Sequence, residues 1–240
     1  VSKKRIITVV IIVILWVGTL ISSKPLNAEK SKDFWIRERV TAVISSPDII
    51  PFLLGFETVF SNYLWIKTVL YTGENMIGDN NGQWLNDMIL AINMLNPQFY
   101  PPYEFAAVML PGITKSAEAS RLILEKGIPH IGGSKNRFMY FYLAWIYYEK
   151  YQDYTRAADL FAYAAKDPKS PPHWARLSAT ALKEVGRVEQ GIVFLLELYE
   201  NSDDPYVKRS LHEKITDLYE ENKNELSFQI PEEFLKKEYK

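Results

Sequence analysis

The feature that most constrains the fold is a repetition. Asp153-Tyr154, Ala157, Phe161 and Ala164 return 34 residues later as Arg187-Val188, Gly191, Leu195 and Leu198. A period of this length belongs to helix–turn–helix units, none of which can bury its apolar face alone. Neighbouring units must stack on it, so the chain predicts an all-α solenoid of paired helices. Small residues mark where helices cross closely: Ala144, Ala157 and Ala164 in one unit, Ser178, Ala179 and Gly191 in the next. Tyr148, Tyr154 and Phe161 fill the space beside the first set. A large side chain at Ala157 would overpack its crossing at a cost of about 1–3 kcal/mol. Gly186, in the corner of the second unit, can take the left-handed turn conformation, and its counterpart in the first is Gln152.

The same reading extends along the chain. Phe34 to Ile44 predicts a short helix stopped by Ser45-Ser46-Pro47-Asp48. From Gly55 onward, Phe56, Val59, Phe60, Tyr63, Leu64, Leu70 and Tyr71 fall on a helical ladder, predicting an amphipathic helix of about five turns. The run Gly78-Asp79-Asn80-Asn81-Gly82 is a solvated turn, because it lacks the alternating ligands and closing Glu of a calcium loop. Trp84 to Leu95 is the next helix, closed by Asn96-Pro97. Three hairpins follow, over 102–127, 137–168 and 172–202. Asp203-Asp204-Pro205 then opens a final helix to Asn222, whose apolar stripe is Val207, Leu211, Ile215 and Leu218. The tail 223–240 carries Phe228, Ile230, Phe234 and Leu235 between charges, and either lies back on the last hairpin or dangles.

At the other end, Val1 reads as a literally translated GTG start, which implies a bacterial or archaeal gene. Ser2-Lys3-Lys4-Arg5 precedes Ile6 to Ser22, a stretch of 17 residues without a charge. That length suffices for a bilayer span. Cleavage as a secretory signal needs small residues one and three positions before the cut, and Leu26-Asn27-Ala28 and Ile21-Ser22-Ser23 both fail at the outer position. The expectation is an uncleaved signal-anchor over 1–22 in the inner membrane, contacting lipid through residues 6–22, with the remaining chain exported. A linker over 23–54, a repeat domain over 55–222 and the tail complete the organisation.

Twenty-eight basic residues balance 29 acidic ones, so charge gives no case for a nucleic-acid partner. The chain has no cysteine, which removes disulfide, thiolate-metal and cysteine-nucleophile chemistry. His130, His173 and His212 lie far apart and read as surface or corner residues, and no phosphate-loop, nucleophile-elbow or dinucleotide pattern occurs. Glu149 and Asp153 stand one helical turn apart, the spacing of a carboxylate pair, but on a repeat this is a solvated face. Trp145, Tyr147 and Tyr148 read chiefly as core. The expectation is a protein with no cofactor, no metal site and no catalytic residue.

The stretch FYLAWIYYEKYQDYTRAADLFAYAAKDP resembles a tetratricopeptide repeat, with Gln152 in place of the usual Gly. With GFETVFSNYLWIK and LNPQFYPPYEFAA upstream, residues 55–222 resemble the membrane-anchored tetratricopeptide proteins of bacterial envelopes. The resemblance implies a short right-handed solenoid whose concave wall comes from the first helix of each hairpin. Carried over by position, that wall is Phe105 and Met109, then Tyr142, Ile146 and Glu149, then Arg176, Thr180 and Lys183. It would be apolar at one end and of mixed charge at the other, suited to an amphipathic peptide or helix of a protein partner. The family's carboxylate clamp is missing, since Phe105 and Met109 stand where its Lys and Asn would be. The implied role is a scaffold subunit or assembly factor of an envelope complex. The alternatives are a periplasmic peptide-binding module released by cleavage and a small cell-wall enzyme using Glu149.

Overall fold

A computed structural model describes residues 53–75, 82–113 and 116–237. The chain divides into two units, Val1–Phe52 and Leu53–Lys240, and the described residues all belong to the second. The expected bilayer span over 6–22, the helix over 34–44 and most of the turn at 78–82 lie outside the described residues. No helix among the described residues is long and apolar enough to cross a membrane.

The described residues are helical, with no strand among them. Helices α1 (Glu57–Asn75) and α2 (Gly82–Leu95) pair first, followed by α3 (Tyr100–Ile113) and α4 (Ala117–Gly127). After a 3-10 turn at Ile128–His130, α5 (Ser134–Ile146) runs into a π-helical turn at Tyr147–Tyr151 and returns as α6 (Tyr154–Ala165). Helices α7 (Pro172–Glu184) and α8 (Val188–Glu200) repeat the arrangement, and α9 (Pro205–Asn222) and a single-turn α10 (Glu232–Leu235) end it. Each helix from α1 to α9 packs on its neighbour in sequence, and α3 on α5 and α7 on α9 pack across successive hairpins. The result is a helical-repeat arrangement of antiparallel pairs. The α1/α2 pair is itself such a hairpin, where the sequence suggested two separate helices.

Local chemistry explains the helix ends. The side chains of Ser116, Asp153 and Asp204 accept hydrogen bonds from the Ala119, Arg156 and Tyr206 amides, occupying donors that a helix start leaves free. Pro172 and Pro205 sit in first turns, where a missing N–H costs nothing. In the α7/α8 corner, Gly186 takes φ 71°, while the Gly186 and Arg187 amides close on the Lys183 and Leu182 carbonyls.

The packing follows the repeat. Ala144, Ala157, Phe161, Ala164, Ser178 and Ala179 are fully buried. A Cβ on Gly191 would lie 3.2 Å from the Ala179 carbonyl oxygen, so α7 and α8 approach nearly backbone to backbone there. Two buried hydroxyls are satisfied across such crossings: Ser120 donates to the Ala106 carbonyl at 3.1 Å and Ser178 to that of Ala158 at 2.9 Å.

Two sequence expectations, for α1 and His212, are corrected here, and one left open, for the tail, is decided. On α1 the apolar ladder points outward: Leu64 is buried, but Phe56, Val59, Phe60, Tyr63 and Leu70 are exposed. The buried side of this helix is instead a stripe of Ser61, Leu64, Thr68 and Thr72. The tail belongs to the last hairpin: Ile230 is buried, Phe228 and Leu235 pack on the α7–α9 core, and the Phe234 ring meets Tyr199 edge to face at 5.2 Å. His212 is buried beneath that tail, its Nε2 2.6 Å from the Phe234 carbonyl, and is no surface histidine.

Candidate functional site

The first helices of successive hairpins (α1, α3, α5, α7, α9) are joined by contacts that run through the residues expected to form the wall. Phe105 on α3 meets Trp65 on α1 edge to face at 5.3 Å. The Tyr142 hydroxyl on α5 donates to the Glu104 carboxylate on α3 at 2.8 Å. Phe141 of α5 stacks on Trp174 of α7 with centroids 4.6 Å apart. Farther on, Arg176 donates to the Ser210 hydroxyl of α9 at 3.3 Å, and Lys183 pairs with Glu221 of the same helix.

The eight expected wall residues fare differently. Phe105, Met109, Tyr142, Arg176, Thr180 and Lys183 are half-buried, and Glu149 is exposed. Ile146 is only 2% exposed, so it belongs to the core and offers no surface. Thr180 spends its hydroxyl on the Arg176 carbonyl, one turn back on its own helix. Trp145, read from the sequence as core, takes the position assigned to Ile146. It is 42% exposed, stacks on Tyr148 and lies three residues from Tyr142 and four from Glu149, hence on their face of the helix. Val108, exposed on α3 one position before Met109, is a second apolar residue that sequence reasoning missed. The signal in each case is one of helical phase: adjacent positions differ by about 100° around the axis, so a transfer by position that is off by one residue turns the face away.

Charge divides the wall. Its α3–α5 part carries Val108, Met109, Tyr142 and Trp145, with Glu104 held by Tyr142. Burial and the neighbouring Glu104 carboxylate push the Tyr142 phenol above its ordinary range, so it stays a donor at any physiological pH. The α7–α9 part gathers Arg176, Lys183 and Lys214. Burial, with Arg176 nearby, lowers the affinity of Lys214 for its proton. Glu221, held below the usual carboxylate range by Lys183, partly compensates these cations.

Glu149 lies on the exposed side of the π-helical turn, 2.9 Å from the Lys150 ammonium, and this hydrogen bond lowers its pKa. A general acid needs the opposite shift. Asp153 is committed too, capping α6 through the Arg156 amide and pairing with the Arg156 side chain at 3.3 Å. The two carboxylates therefore act on their own helices.

A cleft of about 490 Å³ opens where the α6/α7 and α8/α9 corners meet, lined by Pro168, Pro171, Leu198 and Val207 with Asp167 and Asp203 at its polar side. Asp167 pairs with Arg137 at 2.9 Å and also accepts from the Lys169 amide. Among the described residues no group of His, Cys, Asp and Glu could hold a metal ion. No protein-family model, no curated protein and no solved structure matches this chain.

Proposed function

We propose that the chain is a tetratricopeptide-type adaptor, tethered to the inner membrane through residues 6–22, that docks a protein partner on the wall of its first helices. The observation that carries this reading is the cross-hairpin wall itself. Exposed Val108 and Trp145 sit at its apolar end and the Arg176, Lys183 and Lys214 cluster at the other. An amphipathic helix with an acidic end matches both halves: apolar anchors cover Val108 and Trp145, and its carboxylates meet the cations. The 34-residue period and the Gln152/Gly186 corners support the family assignment, and the uncharged run after Lys3-Lys4-Arg5 supports the tether. On this reading the protein is an assembly or scaffold subunit of an envelope complex and performs no chemistry of its own.

The test is affinity isolation of the full chain from detergent-solubilised membranes of its host, comparing wild type with Trp145→Ala and with Arg176→Glu. The expected result is a protein recovered in stoichiometric amount with wild type and reduced about 30-fold by Trp145→Ala, the loss of roughly 2 kcal/mol typical of a buried aromatic anchor. A partner retained equally by both variants, or none at all, contradicts the proposal.

A further inference from the structure

Helix α1 is built inside out. Its buried stripe sets Leu64 among three hydroxyls, and these hydroxyls need no partner from another element: Thr68 and Thr72 donate to the Leu64 and Thr68 carbonyls at 2.8 Å, and Ser61 to that of Thr58 at 3.0 Å. Opposite them, Val59, Tyr63, Ile66 and Leu70 recur at steps of four, three and four residues and are 60%, 54%, 58% and 58% exposed. Phe56 and Phe60 widen this stripe on one side and Val69 on the other. Among the described side chains of this arc only Lys67 is charged, its ammonium 5.7 Å from the Tyr63 ring centroid. Contiguous exposed apolar surface of this kind marks an interaction site.

Two features select lipid as the occupant. The first is composition: a stripe of aliphatic residues and one tyrosine, flanked by phenylalanines and a lysine, is suited to the boundary between acyl chains and headgroups. Tyr63 can place its hydroxyl there, and Lys67 can lay its stem along the apolar surface with its ammonium in water. The second is position in the chain: α1 is the first described helix after the uncharged run Ile6–Ser22. We propose that the outer face of α1 lies in the plane of the bilayer surface and seats the first hairpin on lipid. This rests on the reading of residues 6–22 as a bilayer tether.

Because the chain has no cysteine, single-cysteine variants of the full chain can each carry one environment-sensitive fluorophore. Val59→Cys and Ile66→Cys probe the face, Val193→Cys provides an exposed apolar site on α8, and Ile12→Cys probes the tether. The proteins are reconstituted in phosphatidylethanolamine–phosphatidylglycerol vesicles with a nitroxide quencher on the lipid. The labels at 59 and 66 should emit to the blue of that at 193 and be quenched several-fold more strongly. Labels at 59 and 66 quenched no more than that at 193 overturn the proposal, whatever residue 12 does. A blue shift there that grows with protein concentration and resists lipid quenching assigns the face to a second copy and overturns it equally. An unquenched label at 12 beside quenched labels at 59 and 66 removes the tether and retains the face.

Discussion

Gln152 adopts φ 53° and ψ 26°, a left-handed conformation that a side chain disfavours, where the parallel corner has Gly186 at φ 71°. A residue with a Cβ loses roughly 1–2 kcal/mol there, and glycine gives back part of the gain through chain entropy. Gln152→Gly should therefore raise the unfolding free energy by about 0.5–1 kcal/mol, measured by urea denaturation; a destabilised variant would show that the Gln152 side chain does more than fill the corner. Gly127 is constrained in the opposite sense. A Cβ there would stand 2.2 Å from the Tyr103 ring, which is buried and donates its hydroxyl to the Pro97 carbonyl at 3.0 Å. Gly127→Ala should cost about 1–3 kcal/mol of stability, as an overpacked core site does. The corner at 152 was legible from the 34-residue step because left-handed backbone is a local demand. The requirement at Gly127 was not, since it depends on a ring 24 residues away.

Helix α4 and the π-helical turn that follows α5 are tied by a charged and phenolic network. Arg121 pairs with Glu118 at 2.6 Å and with Glu125 at 2.7 Å, Tyr147 donates to Glu125 at 2.9 Å, and Tyr151 donates to Glu118 at 2.5 Å. Hydrogen bonds from Arg121 and then Tyr151 hold Glu118 at about 2, down from an ordinary 4.5. A carboxyl depressed in the folded state contributes stability above its unfolded pKa and loses it as pH falls through the folded one. Between pH 5 and about 2, wild type should thus lose more stability than Glu118→Gln, by denaturation across that range; parallel profiles contradict the linkage. At the far end, removing residues 225–240 should cost about 3 kcal/mol or more, because Phe228, Ile230, Phe234 and Leu235 leave apolar contacts. An unchanged midpoint on calorimetry would mean the tail adds nothing. The sequence left the tail's position open, since four apolar residues between charges suit either outcome. It placed α1 correctly as a helix but turned it the wrong way, because counting apolar residues finds the larger stripe and overlooks the one formed by Ser61, Leu64, Thr68 and Thr72.

For the molecule as a whole, the all-helical class and the hairpin order followed from periodicity, since a 34-residue step and helical spacing are properties of the chain itself. The wall was legible only in outline. Phe105, Tyr142, Arg176 and Lys183 do link successive first helices, whereas Ile146 faces the core and Trp145 and Val108 face out. What decides these positions is helix rotation set by packing, which no residue pattern encodes to within one position. The central claim, that this wall is where a protein partner docks, is tested most directly by a photo-cross-linking scan in intact membranes, with benzoylphenylalanine placed singly at Val108, Trp145, Lys183, Tyr163 and Val193. The account predicts one common cross-linked protein from the first three positions and none from Tyr163 or Val193 on the second helices; cross-linking to that protein from the second helices, with the wall silent, would contradict it.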